Sequence, residues 1–526
     1  MNKVAKYLNQ HLVGNVFEKP EILRRYSTDR SILRIEPKMV VVPENTNDVR
    51  RTVKLFSQLA AKKLRFSITP WGAGLDKTGA DLGSGVVMDL SKLNHIQEID
   101  ERSRLVRAQA GVTLGELNTA LSLMGLTIPI KADPKETIGS LISNFISDDY
   151  GGKYNGIYYM VDCLEMVSAT GDVIQTGRMS AGGLEKKKEQ TTFEGAVYRE
   201  ISELIGKNFD HINDLKLKPT VDSCGYQMIT QVYRDKGKTF DLLPLFFGAQ
   251  GTLGIITEVI LRCEVLESDV SRFAVAFPTM NGLMDFTKEA MALEPLEINL
   301  YDARIFEATS ETGKNPELFS EKFGNGYILL ISFNDTAKKA EKKISRLLKK
   351  MPETSAAVVE GNENSTDFGR ISGSLASYLN DDLNSERAVI ADDFYVPDEK
   401  LPEFLASLRE MEETFGAELA VFGSFSTKNY NVRPEVNLST VRGRQFVVSF
   451  LKDFAGLLSV YDGSITGGSP EGRVKAVVTN DELSDAEFEL YRRVKEIFDP
   501  QGILNTEVKL GAENRDLVRN IRNSAL

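Results

Sequence analysis

The sequence is poor in the side chains that hold metals or form disulfides. Its 526 residues include three histidines, three cysteines and one tryptophan. Cys163, Cys224 and Cys263 form no CxxC pair and no even disulfide framework. This argues against a disulfide-stapled secreted scaffold or a zinc ribbon and fits reduced thiols in a cytoplasmic protein. No apolar run approaches the ~20 residues needed to cross a bilayer. The first fifteen residues lack the apolar centre of a secretory signal. No basic excess exists either: 64 Lys and Arg stand against 75 Asp and Glu, a net charge of -11. With both signs interspersed, no nucleic-acid partner is expected. The short run Lys186-Lys187-Lys188 reads as a solvated loop.

What is present suits a large globular chain. The apolar fraction is 42%, and the length implies two to four domains at roughly 100–200 residues each. Val4, Tyr7, Leu8 and Leu12 fall on one helical face, which predicts a short amphipathic helix packed on the body. Peripheral membrane contact through that helix stays open. Met39 to Val42 reads as a strand closed by Pro43, and Thr46 and Asn47 are placed to cap the helix that follows. Val49, Val53, Phe56 and Ala60 line one face of that helix. Phe66 to Thr69 returns as a strand ending at Pro70, and Gly85 to Leu90 reads as a buried one. Strand, helix, strand, glycine turn, strand is the order of a small α+β nucleotide-binding unit.

Further on, Leu105 to Ala110 is an expected strand, and a Leu114, Leu117, Leu121, Met124 stripe makes a helix ending at Gly125. Cys163 to Val167 and Val173 to Thr176 form an expected hairpin, 180–192 an expected loop, and Gly254 to Cys263 an expected strand. Strands over Gly326 to Phe333 and Leu419 to Phe425 alternate with helices over Ala337 to Met351 and Pro402 to Phe415. Asp485 to Phe498 is amphipathic and leads into a turn-rich tail. The expected division is an N-terminal helical segment (1–35), a first α+β domain (36–265), a second (266–480), and a helix and tail returning to the first (481–526).

Three glycine clusters lie inside the first α+β domain: Trp71-Gly72-Ala73-Gly74, Thr137-Ile138-Gly139, and Gly248 to Gly254. Glycine lets backbone N–H groups approach an anion with no Cβ in the way. The first cluster does not complete GxGxxG, because position 77 is Lys. Three such turns in one domain suggest a long phosphate-bearing ligand threaded between its halves.

These stretches resemble a known family. Pro43 to Asp100, Gly111 to Leu117, Thr137-Ile138-Gly139 and Gly251 to Glu258 are similar to the FAD-binding domain of the vanillyl-alcohol oxidase and p-cresol methylhydroxylase superfamily. Tyr26 to Asp29 fits as well, and Phe498 to Asn505 resembles its C-terminal signature. Within it, the sequence most resembles the branch of D-lactate dehydrogenase and the glycolate oxidase D subunit. The resemblance implies an α+β fold, with a two-subdomain PCMH-type FAD-binding domain and an α+β cap. It implies non-covalent FAD, with pyrophosphate at Gly72, Ala73 and Gly74, and Pro70, Thr78 and Gly79 nearby. Pro134, Thr137, Ile138, Gly139, Asn144 and Ser147 would flank the flavin, and Gly251, Gly254, Ile256 and Asn505 would approach from the far side. It also implies a small-molecule substrate, with electrons leaving to a quinone or carrier protein.

The departures are specific. Leu75-Asp76 stands where the family loop continues Thr-Ser, and a carboxylate there repels pyrophosphate unless it turns away or meets Lys77. Phe145 to Asp149 is bulkier and more acidic than the family's small residues. The branch's cap holds a divalent metal and a base through His-x6-His and Glu-His. Here those four positions are Ser424, Asn431, Gly468 and Ser469, so no metal is expected. Arg370 falls where the family carries a carboxylate-binding arginine, Arg433 is a second candidate, and Ala391 replaces an expected lysine. Tyr430, Glu471 and Asp392 are the candidate bases. Three readings therefore stand: an FAD-dependent dehydrogenase, a flavin-binding sensor or partner subunit, and a scaffold that no longer holds flavin.

Overall fold

The computed structural model describes residues 2–146, 148–217, 223–234, 237–267, 269–308, 326–360, 378 and 387–522. Its first sheet has the order Asn15–Phe17, Met39–Val42, Val86–Asp89, Ile68–Trp71. The last three are parallel and the first is antiparallel to its neighbour. Met39–Val42 and Val86–Asp89 are buried along their whole length, as expected for strands covered on both faces. Helix Thr46–Ala61 connects the parallel strands and buries Val49, Val53, Phe56 and Ala60. Its cap is Asn45, whose side chain accepts from the Asp48 amide, because Thr46 and Asn47 already lie within the helix. Strand Ile68–Trp71 starts later than expected and runs through Pro70. It is the sheet's edge, where a missing N–H is tolerated.

The second sheet is antiparallel, in the order Ile96–Asp100, Leu105–Gln109, Ile255–Arg262, Val161–Val167, Val173–Gln175. Helix Leu114–Ser122 starts with a full capping box between Thr113 and Glu116. Helix Asp485–Phe498 has another between Ser484 and Glu487, and its Leu490, Tyr491 and Val494 pack into the core beneath this sheet. The expected loop over 180–192 holds a helix, Ala181–Lys188, capped by Ser180. Only Leu184 of that helix is buried, so no apolar stripe announced it. The lysines lie on this helix, with Lys187 paired to Glu194 and Lys188 to Glu185. The first helix, Asn2–His11, turns Ala5 and Leu8 inward, while Tyr7 is exposed and stacks on His11.

The third sheet has seven antiparallel strands among the described residues, with Ala391–Tyr395 at one edge beside Asn429–Val432 and Val421–Ser424. Helices Met280–Met291, Ala337–Leu348, Leu401–Phe415 and Val441–Val460 cover it. Its core is continuous with Val40, Trp71, Leu82 and Val87 of the first sheet's unit. Burial of those groups ties this cap to the glycine turns.

Residues 499–509 finish the arrangement. The Ile68 amide donates to the Ile503 carbonyl at 2.7 Å, and the Asn505 amide donates to the Ile68 carbonyl at 2.8 Å. Asp499 accepts the amides of Ile503 and Leu504, and Lys495 donates to the carbonyls of Thr252 and Leu504.

Candidate functional site

The three glycine turns converge. A Cβ built on Gly72 would lie 2.7 Å from Thr137 Oγ1, and one on Gly251 would lie 2.5 Å from the Pro70 ring. The Gly248 amide donates to the Ile142 carbonyl at 3.1 Å, and that of Gln250 to the Ser143 carbonyl at 2.9 Å. Gly74 has φ +70°, and a Cβ there would meet the Trp71 ring at 2.4 Å, so both backbone and space demand glycine. Between the turns runs a groove walled by Trp71 and Gly72, Ser140 and Asn144, and Gln250 and Gly251.

Acids lie in and beside the groove. Asp76 does not meet Lys77; its carboxylate turns back and accepts the amides of Thr78 at 2.9 Å and Ala80 at 2.7 Å. Burial raises its pKa, against those hydrogen bonds. Asp81 lines the groove, and Glu136 lines the adjoining cavity. Asp81 Oδ2, Glu136 Oε2 and Asp29 Oδ2 are buried with no hydrogen-bond partner among the described residues. Burial pushes Glu136 up to about 7, with Asp76 and Asp133 adding to the rise and Ser140 and Arg30 opposing it. Burial likewise raises Asp81 and Asp29 well above the usual carboxylate range. Buried oxygens without partners are costly, and a polar ligand in the groove would satisfy them. Converging glycine turns and orphaned polar oxygens fit a hydroxyl-rich dinucleotide.

A second, roomier cavity, of about 210 Å3, shares Asn144 with the groove and has cap residues in its wall. Its walls include Arg30, Lys77, Lys131, Ile146, Asp393 and Ser469. Asp393 sits in a bulge of strand Ala391–Tyr395 at φ +59°, a strained position for a non-glycine residue. Asn431 holds the bulge by accepting the Asp393 amide at 3.0 Å. The preceding Asp392 is tied up: Arg433 donates to it at 3.0 and 2.7 Å, and Lys77 at 3.1 Å. Burial opposes ionisation of Asp392, yet Arg433 and Lys77 hold its carboxyl well below the usual range. Lys475 donates to the Asp392 carbonyl at 2.6 Å and to Ser469 Oγ at 3.0 Å, and burial lowers its pKa.

Several expected site residues take other roles. Arg433 is buried and committed to Asp392, so it is not a free carboxylate clamp. Tyr430 is fully buried among Phe394 and Phe425, and burial raises its hydroxyl well above the ordinary value; it cannot act as a base there. Glu471 forms a buried ion pair with Lys509 at 2.9 Å and accepts the Gly225 amide. Arg370 and Ser147 lie outside the described residues. Pro70, Gly72, Thr137, Gly139, Asn144, Gly251, Gly254 and Ile256 line the groove. Ala73, Gly74, Thr78, Gly79, Pro134 and Ile138 are not among its walls, though Thr78 lines the second cavity. Thr78 bonds Asp76 and Gln250, and Ile138 is core. Asn505 clamps instead of lining: its Nδ2 donates to the carbonyls of Ala80 at 2.8 Å and Gln250 at 2.7 Å.

Sequence reasoning missed Trp71, Asp81, Glu136, Ser140 and Gln250 as groove or cavity walls. Asp81 and Glu136 each lie next to a flagged motif, and a carboxylate beside a glycine turn was the signal available. In the cap, Ser424, Asn431, Gly468 and Ser469 hold no imidazole, and no cluster of three or more metal-ligating side chains occurs among the described residues.

Residues 37–177 match the family described as FAD binding domain, and residues 267–508 that described as FAD linked oxidases, C-terminal domain. The chain is 24% identical over 517 residues to D-2-hydroxyglutarate dehydrogenase of Pantoea ananatis, covering 91% of this chain and 48% of that one. It is 25% identical over 471 residues to D-lactate dehydrogenase of Archaeoglobus fulgidus, covering 89% and 90%. It thus spans about half the length of the first curated relatives it matches. Among solved structures, p-cresol methylhydroxylase with substrate bound superposes with a TM-score of 0.69 at 14% identity, covering 98% and 97% of the two chains, a likeness of fold.

Proposed function

The chain belongs to the FAD-linked oxidases with a PCMH-type FAD-binding domain, and from that premise we propose that it is a dehydrogenase of a small hydroxy-acid-like substrate. FAD is the cofactor, and when bound it supplies the hydride acceptor at flavin N5. The observation that carries the reading is the second cavity, shared between Asn144 of the FAD-binding domain and Asp393 and Ser469 of the cap. The relatives named D-2-hydroxyglutarate dehydrogenase and D-lactate dehydrogenase support a 2-hydroxy acid as its occupant.

A substrate hydroxyl needs a proton acceptor within about 2.6–3.2 Å. Asp393 and Ser469 line the cavity, with Lys475 behind the serine, and they take the place of the absent imidazole. Lys77 and Lys131 line the cavity, each already ion-paired, Lys77 with Asp392 and Lys131 with Asp149 and Glu297, so a substrate carboxylate would have to share or displace those partners; Arg370 is the third candidate for it. Electrons then leave to a quinone or carrier protein. No described helix is long and apolar enough to cross a membrane, and the absence of a disulfide among Cys163, Cys224 and Cys263 supports a reducing compartment such as the cytoplasm.

The test is anaerobic mixing of the flavin-loaded protein with D-2-hydroxyglutarate, D-lactate and glycolate, followed by flavin absorbance. Bleaching by one of them is the expected result. Stable yellow protein with all three, and with a wider panel of alcohols, would favour the second reading, a flavin-binding sensor or partner subunit. The lack of all four family cap groups at Ser424, Asn431, Gly468 and Ser469 is what supports that alternative.

A further inference from the structure

Buried acids stand in the wall of the cofactor groove and in the cavity beside it. Asp81 and Glu136 each present an oxygen without a hydrogen-bond partner among the described residues, and both are more than nine-tenths buried. Asp81 faces the groove and Glu136 the cavity that shares Asn144 with it. Asp29 and Asp76 complete a buried acidic cluster around them. The cations that face the cluster are few and mostly engaged. Arg30 pairs with Asp133 at 2.7 Å and Arg473 with Glu507 at 3.0 Å, while Lys77 and Lys475 are turned to Asp392. A dinucleotide brings the negative charge of its pyrophosphate into this setting. Ionised carboxylates would repel it, whereas neutral carboxylic acids have an O–H to donate to cofactor oxygens.

Resting on the assignment of FAD as cofactor, we propose that Asp81, on the groove wall, meets the cofactor as a neutral acid, and that Glu136, in the adjoining cavity and electrostatically linked to Asp81, is a positioning residue that must also be neutral for the cofactor to bind. FAD capture is therefore coupled to proton uptake at these side chains. Burial places Glu136 at about 7 in the cofactor-free protein, and an approaching anion raises it further. The sign follows: affinity is full below about pH 7, where the acid is already protonated, and falls as pH rises above it. For one proton taken up, linkage sets the limit at roughly tenfold in Kd per pH unit.

The experiment titrates the cofactor-free full chain with FAD at several pH values from 6 to 9, following flavin fluorescence, with calorimetry in two buffers of different ionisation enthalpy to count protons. The wild-type chain is expected to weaken toward pH 9 with net proton uptake. E136Q keeps a donor and removes the titration, so it should bind FAD tightly at pH 9 with a flattened profile, and D81N should bind no more weakly than wild type. A pH-independent Kd, or FAD affinity that rises with pH and is lost in E136Q, would overturn the proposal and assign these groups as ionised acceptors. Absence of FAD binding at every pH would remove the cofactor assignment and the proposal together. The wild-type profile alone decides the matter if a variant fails to fold, which circular dichroism reports.

Discussion

The groove between the glycine turns and the cap face opposite it carry different kinds of chemistry. The groove is made largely of backbone: Gly72, Gly74 and Gly251 are there because a Cβ would strike Thr137, Trp71 or Pro70. The cap face is made of side chains, and there Ser424, Asn431, Gly468 and Ser469 stand where the resemblance calls for imidazoles and a carboxylate. In their place the cap holds a buried charge network around Asp392, with Arg433, Lys77 and Lys475. A site built from main-chain geometry persists as long as the fold does. A site built from four side chains can be exchanged residue by residue while the fold stands.

Damage to the backbone-made half should cost the most. G74V adds a branched side chain at φ +70° against the Trp71 ring. It should purify without flavin absorbance while keeping its helical circular dichroism; retention of a full flavin complement would contradict the assignment. Next in size is D392N, which leaves Arg433 and Lys77 without their carboxylate. Removing one partner of a buried ion pair costs about 3–5 kcal/mol, to be read from the urea midpoint. A loss under 1 kcal/mol would show the network to be dispensable. N505A deletes two donors and leaves the carbonyls of Ala80 and Gln250 unsatisfied. A loss of about 2–3 kcal/mol should accompany weaker flavin retention, because both turns are released together. The smallest effect concerns metal. A chelator should leave flavin reduction by any active substrate unchanged, and a loss restored by a divalent cation would place a metal site in the cap after all.

Much of this was legible in the sequence, for identifiable reasons. Helix Asp485–Phe498 and strand Met39–Val42 declared themselves through apolar periodicity and apolar continuity. Helix Ala181–Lys188 did not, because one buried leucine makes no stripe. Strand Ile68–Trp71 was mistimed by Pro70, a stop signal that an edge strand overrides. In the site, glycines pointed to the turns, but the direction of a side chain is a tertiary fact. Asp76 folding back on its own loop, Arg433 committed to Asp392 and Tyr430 sealed among aromatic rings all depend on partners 2 to 41 residues away or on packing from other strands. Glu136 and Asp81 went unnoticed because a carboxylate beside a glycine turn reads equally well as a surface acid until the fold buries it.

The clamp made by Asn505 has a temporal side. Its amide group holds the Ala80 carbonyl across 425 positions of chain and the Gln250 carbonyl across 255. During synthesis, both glycine turns leave the ribosome long before the asparagine that fastens them. The nascent polypeptide must therefore wait with its dinucleotide cleft unsecured until residues 499–509 emerge. A chain ending before this point lacks the clamp and is expected to hold its flavin less tightly.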